Sequence, residues 1–430
     1  MKLLLPIILA IIGFISVSFF LTINQSFLIA MIILLVAYWS NEAIPLGVVS
    51  LLPIIAFPLF GILDIKSVTA NYSNPIIFLF LGGFMLAIAV EKTNLHQIIA
   101  DKLISFFPNT SRGIIFALAI TSAILSSILS NTTTALLLMP IAMFLTEDNS
   151  LKTKFALAIA YGASIGGIVT PIGTPPNLIL LGFLEENNIQ ALTFAQWMIK
   201  TIPLAFLMLI IVGYILSIGV KEFKIELNKK NYKLDKNQKR LKNILIILMG
   251  LLFLNSFIKI SDAIILLSFG LLMFIPKIGF LEWKDTKNIP YEIIFLFGAG
   301  FSIAKAFSAT NLDSVISDML FNFTNLAPFI LLIVVAMIIT FTTEITSNTA
   351  LISIALPIIY ALGKKSNIDM ELLLMVATIS ASYAFMLPIA TPPNAIAFSA
   401  GVKIKEMAKY GIIFNFTAIS ITSIIAYFYW

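Results

Sequence analysis

One pattern of residues occurs twice in this chain, and the two copies are 217 residues apart. The first copy is Ser130-Asn131-Thr132 with Gly173-Thr174-Pro175-Pro176-Asn177, and the second is Ser347-Asn348-Thr349 with Ala390-Thr391-Pro392-Pro393-Asn394. Further identities keep the same offset: Phe80/Phe297, Gly83/Gly300, Phe84/Phe301, Thr93/Thr310, Asn94/Asn311, Leu95/Leu312, Pro140/Pro357 and Pro171/Pro388. A register kept without a gap over about 100 residues indicates two related halves that build one site between them, as in many secondary transporters.

Composition places these halves in a membrane. The chain is 60% hydrophobic and 11% charged, and apolar runs long enough to span a bilayer as helices recur along it. Alternating ten-residue segments typical of a β-barrel are not seen, so we predict an all-α polytopic membrane protein. The chain has no cysteine, which excludes disulfides and cysteine-ligated metals. The net charge of +6 is interpreted as a signal of membrane orientation and not of nucleic-acid binding.

The apolar runs predict about eleven spans and two longer stretches. The spans are 3–22, 27–45, 46–62, 74–92, 152–183, 195–220, 243–258, 262–277, 290–308, 370–400 and 411–429, and the longer stretches are 113–147 and 328–363. A helix of 35 residues measures about 52 Å, whereas the hydrocarbon core is about 30 Å thick. Each long stretch has a Ser-Asn-Thr near its middle. We therefore predict two re-entrant hairpins, each with a polar tip halfway across the membrane.

The basic residues predict the orientation of these segments. With the N-terminus in the cytoplasm and the C-terminus outside, the inner segments hold 21 of the 27 Lys and Arg residues. Nine of these lie in the loop from Lys221 to Lys242. Five spans separate the two hairpins, so the first enters from the cytoplasm and the second from outside. The repeat is therefore predicted to be inverted.

The Thr-Pro-Pro motifs lie within predicted spans and should break them. Proline removes a backbone donor and clashes with the preceding turn, so the helix unwinds there. Unwinding frees carbonyl oxygens that suit Na⁺ and exposes helix N-termini that favour anions. No Lys or Arg lies in the repeated motifs, so neutral donors, helix dipoles and bound cations would hold an anion. Glu344 lies three residues before Ser347, and the sequence leaves two roles open for it, tuning a cation site or supporting the hairpin.

These motifs resemble those of the divalent anion:sodium symporter family, which carries di- and tricarboxylates or sulfate. The resemblance covers nearly the whole chain, including Gly82-Gly83-Phe84. It implies eleven spans, two re-entrant hairpins, a homodimer and an elevator mechanism. It also implies a scaffold of about residues 1–112 and 195–308, with a transport domain of about residues 113–194 and 309–430.

The family's binding residues can be carried over position by position. The first sodium site resembles one formed by Ser126, Ser130, Asn131 and the carbonyl of Gly173. The second resembles one formed by Thr343, Thr346, Asn348 and the carbonyl of Ala390. The resemblance implies these substrate contacts: Ser130, Asn131, Thr132, Thr174, Ser347, Asn348, Thr349, Thr391 and Pro392.

We therefore expect a symporter that uses Na⁺ as its coupling ion and needs no organic cofactor. It would reside in the inner (plasma) membrane and import a divalent anion, most readily a C4-dicarboxylate such as succinate. Alternatives within transport are a sulfate or citrate carrier and a sodium-independent dicarboxylate exchanger. An enzyme is disfavoured because the repeat core has no histidine, cysteine or metal-ligand cluster. A channel is the other class that the sequence leaves open.

Overall fold

The computed structural model describes residues 2–225, 233–258, 260–320, 326–366 and 368–430. These residues form α-helices and one short 3-10 helix, Trp283–Asn288, and their one β-bridge joins Thr110 to Lys224. In the first half the helices are α1 Leu4–Ser18, α2 Ile23–Asn41, α3 Leu46–Val49, α4 Leu52–Leu59, α5 Ile65–Asn71, α6 Pro75–Lys92, α7 Leu95–Ser105, α8 Ser111–Ser126, α9 Asn131–Phe144, α10 Asn149–Gly167, α11 Pro175–Glu186 and α12 Phe194–Ser217. In the second half they are α13 Lys236–Ile258, α14 Asp262–Leu272, α15 Tyr291–Ala309, α16 Leu312–Met319, α17 Pro328–Thr343, α18 Asn348–Gly363, α19 Met370–Ser380, α20 Pro392–Ser399 and α21 Ile404–Tyr429.

The helices carry the length and polarity of a multi-pass membrane protein. Five helical segments are long and apolar enough to cross a bilayer: 23–41, 65–92, 194–217, 291–309 and 404–429. Large apolar side chains are exposed to the surroundings on many helices, as a lipid environment allows. The all-α fold predicted from composition is confirmed for the described residues.

The repeat seen in the sequence is also present in the helices. Helix α8 maps onto α17 at an offset of 217 residues at both ends, and α9 and α18 begin at the same repeat position. The correspondence continues beyond the repeated motifs, because α2 overlaps α13 at the same offset. Local geometry is repeated too: Asn94 and Asn311 are both left-handed, with φ of 54° and 55°. Asparagine tolerates this conformation better than most residues, so the turns after α6 and α15 have the same shape.

Both long apolar stretches are interrupted at the Ser-Asn-Thr motif. Helix α8 ends at Ser126 and α9 begins at Asn131, while α17 ends at Thr343 and α18 begins at Asn348. A helix of 16 residues is about 24 Å long, shorter than the hydrocarbon core of about 30 Å. These half-length helices match the predicted hairpins, whose entry and return on one side of the membrane stay a prediction.

The predicted spans over the Thr-Pro-Pro motifs are each broken into two helices. The first break separates α10 from α11, and the second separates α19 from α20. One asparagine supports each break: Asn177 Nδ2 donates to the carbonyls of Gly167 and Thr170 at 2.9 and 2.8 Å. Asn394 Nδ2 makes the repeat-related bonds to Ala384 and Leu387 at 2.8 and 3.1 Å. The two asparagines thus satisfy carbonyls that unwinding removes from the helical ladder.

Close packing of small residues holds the helices around these breaks. A Cβ added to Gly166 of α10 would lie 2.2 Å from the carbonyl oxygen of Ala123 in α8. A Cβ added to Gly82 of α6 would lie 2.4 Å from the backbone of Leu266 in α14. Small residues allow such close approach of backbones, which is how helices associate in a membrane.

The segment 46–62, predicted as one span, contains two short helices. The break falls at Ser50, whose carbonyl accepts a bond from the hydroxyl of Tyr72 at 2.5 Å. Its hydroxyl also accepts a bond from Trp39 Nε1 at 3.1 Å. Pro53, in the first turn of α4, has no backbone N–H to continue the helix from α3, and these bonds satisfy polar groups at the break.

Candidate functional site: a cavity between the two repeats

A single cavity of about 1080 Å³ lies where the two interrupted helix pairs and the two broken helices meet. Every residue predicted to contact the substrate lines it: Ser130, Asn131, Thr132, Thr174, Ser347, Asn348, Thr349, Thr391 and Pro392. Residues more than 250 positions apart in the chain thus face one space. Its volume lies just above the range of about 300–1,000 Å³ that is usual for small-molecule sites.

The candidate sodium ligands lie at the same cavity or directly behind it. Those that line it are Ser130, Asn131, Gly173, Thr346, Asn348 and Ala390. Ser126 and Thr343 are buried one layer deeper. The hydroxyl of Ser126 donates to Asn131 Oδ1 at 2.6 Å, and that of Thr343 donates to Asn348 Oδ1 at 2.7 Å. Each predicted ligand set therefore contains a buried hydroxyl that is hydrogen-bonded to an amide side chain. The oxygen atoms of both groups are ligands that suit a hard cation.

Four helices begin at the repeated motifs that line this cavity. They are α9, α11, α18 and α20, with N-caps Ser130, Thr174, Ser347 and Thr391. The side chains of Ser130 and Thr391 cap their helices by accepting from the amides of Thr133 and Asn394 at 3.0 and 3.4 Å. The hydroxyls of Thr174 and Ser347 make no capping bond. Two N-cap hydroxyls are thus left for a ligand, at helix ends that favour negative charge.

The charged residues of the cavity are all acidic. No lysine, arginine or histidine is among the described residues that line it. Glu42, Glu91 and Glu292 do line it, at the ends of α2 and α6 and the start of α15. The cavity thus extends from the polar tips to these helix ends, which the charge pattern of the sequence predicts to be cytoplasmic. An anion here must be held by neutral donors, helix ends and cations.

Several contributors to the site carried no assigned role from the sequence. Gly167 allows the site to close, since a Cβ there would lie 3.0 Å from Asn131 Oδ1 and 3.3 Å from Thr174 Cβ. Phe80, Gly83 and Ile172 also line the cavity. The matches Phe80/Phe297 and Gly83/Gly300 were the available signal, but sequence alone does not show which side of a helix faces the ligand.

Comparison with known proteins agrees with this architecture. A family model described as citrate transporter (CitMHS) matches residues 27–379. The chain belongs to this transporter family. The predicted resemblance to the divalent anion:sodium symporters is thereby confirmed, and the family and the relatives below are transporters, not enzymes.

Two relatives are similar over most of their length. The sodium-dependent dicarboxylate transporter SdcS of Staphylococcus saprophyticus is 34% identical over 443 residues, which cover 94% of this chain and 85% of that protein. SdcS of Staphylococcus aureus strain NCTC 8325 is 32% identical over 447 residues, with the same coverage.

Two solved structures are similar in fold. MtrF of Neisseria gonorrhoeae, described among a class of antimetabolite efflux pumps, gives a TM-score of 0.64 at 16% identity and covers 96% of this chain and 97% of its own. The YdaH transporter of Alcanivorax borkumensis gives a TM-score of 0.59 at 13% identity, over 86% and 90% of the two chains. At such low identity these similarities concern the fold alone.

Proposed function

We propose that this protein is a Na⁺-coupled symporter that imports a divalent anion, most readily a C4-dicarboxylate such as succinate. The observation that carries the proposal is the single cavity lined by both Ser-Asn-Thr tips and both Thr-Pro-Pro breaks. Its helix ends and neutral donors suit an anion, while its side-chain and carbonyl oxygens suit Na⁺. Without cations, a dianion would face a cavity that holds glutamates and no basic residue among its described lining.

Coupling to Na⁺ also meets the energetic cost of import. Moving a dianion inward against 100 mV costs about 4.6 kcal/mol, at about 2.3 kcal/mol per charge. Two Na⁺ ions cancel the charge of the dianion, and a third would make uptake electrogenic. The two repeat-related sets of oxygen donors support at least two ions. The names of the SdcS relatives, sodium-dependent dicarboxylate transporters, support the same coupling.

The substrate class rests on the shape of the site and on those relatives. Two related tips that line one cavity suit a ligand with an anionic group at each end. Citrate is the second candidate, because the family model is described as citrate transporter. A sulfate carrier and a sodium-independent exchanger are the outcomes that the test below separates.

An elevator movement is the proposed means of alternating access. In this structure a Cβ on Gly83 of α6 would lie 3.6 Å from Cβ of Ile172, in the first broken helix. Gly300 of α15 instead faces Ser353 of α18, at 3.1 Å between Cβ atoms. Ile389, the repeat equivalent of Ile172, is 74% exposed. The two halves thus contact α6 and α15 differently, and an exchange of the two contact sets would produce the opposite state.

The contacts of α12 bear on the proposed boundary between scaffold and transport domain. Trp197 Nε1 donates to the carbonyl of Ile168 at 2.9 Å, and the hydroxyl of Thr201 donates to that of Val169 at 3.0 Å. Both carbonyls belong to the first broken helix, in the proposed transport domain. We therefore propose that α12 moves with that domain, as its repeat equivalent α21 does.

We also propose that the protein forms a homodimer in the inner membrane. Its N-terminus would be cytoplasmic and its C-terminus external. The charge distribution supports the orientation. The homodimer follows from the family resemblance alone. Crosslinking of purified protein in nanodiscs measures the oligomeric state, and maleimide accessibility of single cysteines added at either terminus measures the orientation.

Isotope uptake into proteoliposomes tests the function. Labelled succinate, citrate and sulfate are offered with an inward Na⁺ gradient, and Na⁺ is then replaced by K⁺ or choline. We expect saturable succinate uptake that needs Na⁺. Succinate uptake indifferent to Na⁺ would refute symport and favour the exchanger, and uptake of sulfate or citrate alone would change the substrate class.

A further inference from the structure

Glu344 joins three separate parts of the structure. It follows α17 directly, at the start of the tip that leads to Asn348, and only 3% of it is exposed. Its carboxylate accepts from the amides of Met386 and Leu387 at 2.9 and 3.0 Å. It also accepts from Asn415 Nδ2 of α21 at 2.7 Å. One side chain thus connects the interrupted helix pair, the second broken helix and α21.

The segment that Glu344 holds leads to the second candidate sodium site. Met386 and Leu387 precede Ala390, whose carbonyl is a candidate ligand, by only a few residues. On the other side, Thr343 is adjacent to Glu344 and donates to Asn348 Oδ1 at 2.7 Å. Glu344 therefore fixes the distance between the two elements that supply ligands to this site.

The first repeat makes the same connection without a charge. The repeat equivalents of Glu344 and Leu387 are Ser127 and Thr170. There the hydroxyl of Thr170 donates to the main-chain carbonyl of Ser127 at 2.5 Å. The same two positions are joined in both halves, by a neutral bond in the first and by a carboxylate in the second.

In the part of the chain that the structure describes, no basic side chain pairs with the carboxylate of Glu344. Its contacts are N–H donors, which match the ionised form. A buried negative charge without a basic partner is costly in a membrane unless something positive binds nearby.

We propose that Glu344 is a positioning residue that makes the second of the two repeat-related sites the stronger cation site. This inference rests on the proposed Na⁺ coupling. It makes the two sites unequal in spite of their matching ligands, because the first site lacks the adjacent charge. The second site would then fill at the lower Na⁺ concentration.

The test compares variants in the two halves of the full-length protein. Glu344→Gln keeps the side-chain shape and removes the charge, and Glu344→Asp keeps the charge with a shorter reach. Thr170→Val removes the neutral hydrogen bond of the first half. Ser127→Ala is the matched control, because this hydrogen bond is accepted by the main-chain carbonyl of Ser127 and not by its side chain.

Two readouts separate positioning from general stability. The first is the Na⁺ concentration that half-maximally raises the melting temperature of the purified protein, since a ligand stabilises the folded state that binds it. The second is the Na⁺ concentration for half-maximal succinate uptake, beside the KM for succinate at saturating Na⁺. Glu344→Gln should raise both Na⁺ concentrations by about tenfold or more, about 1.4 kcal/mol. The KM for succinate at saturating Na⁺ should change little. The glutamine amide replaces one acceptor of a buried N–H, so the rise in melting temperature is measured from each variant's own Na⁺-free value. Glu344→Asp should lie between Gln and wild type.

Three results would overturn the inference. These are an unchanged Na⁺ requirement in Glu344→Gln, equal effects of Asp and Gln, and an effect of Thr170→Val as large as that of Glu344→Gln. If Glu344→Gln does not fold, Asn415→Ala takes its place, because it removes one hydrogen bond to the carboxylate. It should raise the Na⁺ requirement by a smaller factor. An unchanged Na⁺ requirement in Asn415→Ala would overturn the proposal. A wild-type protein that ignores Na⁺ would instead refute the proposed function.

Discussion

A disulfide between Gly83 and Ile172 would test directly whether the two parts of the protein move. The side chain of Ile172 lies against α6, and a Cβ on Gly83 would be 3.6 Å from its Cβ. Disulfides have Cβ–Cβ distances of about 3.5–4.5 Å, so the double variant Gly83→Cys, Ile172→Cys should form the bond with little change in backbone. The natural chain has no cysteine, so no other thiol competes.

The size of the effect follows from the reach of a disulfide. The Cα atoms of a disulfide lie at most about 6.8 Å apart, so an intact bond prevents a relative displacement of several ångströms. Oxidation should therefore reduce Na⁺-driven succinate uptake to the level of empty vesicles, and a reductant should restore it. Both single-cysteine variants should stay insensitive to oxidation.

The repeat provides a matched second pair. Gly300→Cys with Ile389→Cys occupies the equivalent positions, but here Ile389 is exposed to the cavity and Gly300 faces Ser353. This pair should crosslink only in the opposite state, and the first crosslink should prevent the second. Full uptake by a protein shown by mass spectrometry to be completely crosslinked at Gly83 and Ile172 would refute the elevator movement.

Three further sets of substitutions probe the site and its support. Asn131→Ala and Asn348→Ala should each raise the Na⁺ concentration needed for uptake by about tenfold or more. Their elution volumes in size-exclusion chromatography should stay unchanged. Wild-type uptake in both variants would refute the site assignment. Gly182→Ala puts a Cβ 2.2 Å from the ring of Phe301. This overpacking should slow the formation of the Gly83–Ile172 crosslink, and Phe301→Ala should restore its rate. An unchanged rate of crosslinking in Gly182→Ala would contradict the contact. Asn394→Leu leaves two carbonyls without their donor and should destabilise the fold by about 2–3 kcal/mol, and a wild-type melting temperature would argue against this support.

The sequence predicted the parts of the site that depend on local chemistry. Single prolines such as Pro140 and Pro357 lie inside unbroken helices here, whereas the Thr-Pro-Pro and Ser-Asn-Thr motifs coincide with the breaks near Thr174 and Ser130. The offset of 217 residues then implied that the second half has the same breaks. The residues predicted to contact the substrate line one cavity because the repeat brings distant positions together, while their contacts with a substrate stay a prediction.

What depends on contacts between distant elements was out of reach. The motifs contained Asn177 and Asn394, but their bonds to carbonyls of the breaks appear only in three dimensions. The role of Glu344 likewise needed the positions of Met386 and Asn415. A repeated sequence also cannot show which half contacts α6, because both halves encode the same set of contacts. The different surroundings of Ile172 and Ile389 belong to the conformation and not to the sequence pattern.

The donor set of the cavity has a consequence for its response to pH. The hydroxyls, amides and helix ends at Ser130, Thr174, Ser347 and Thr391 do not titrate in the physiological range. At these donors acid should therefore act through the ligand, by converting a dianion into a monoanion that they hold less well. Each transported acid would then show its own pH profile, displaced according to its second dissociation constant. A carrier of this kind distinguishes the ionisation states of one molecule without any titrating group among the donors that bind it.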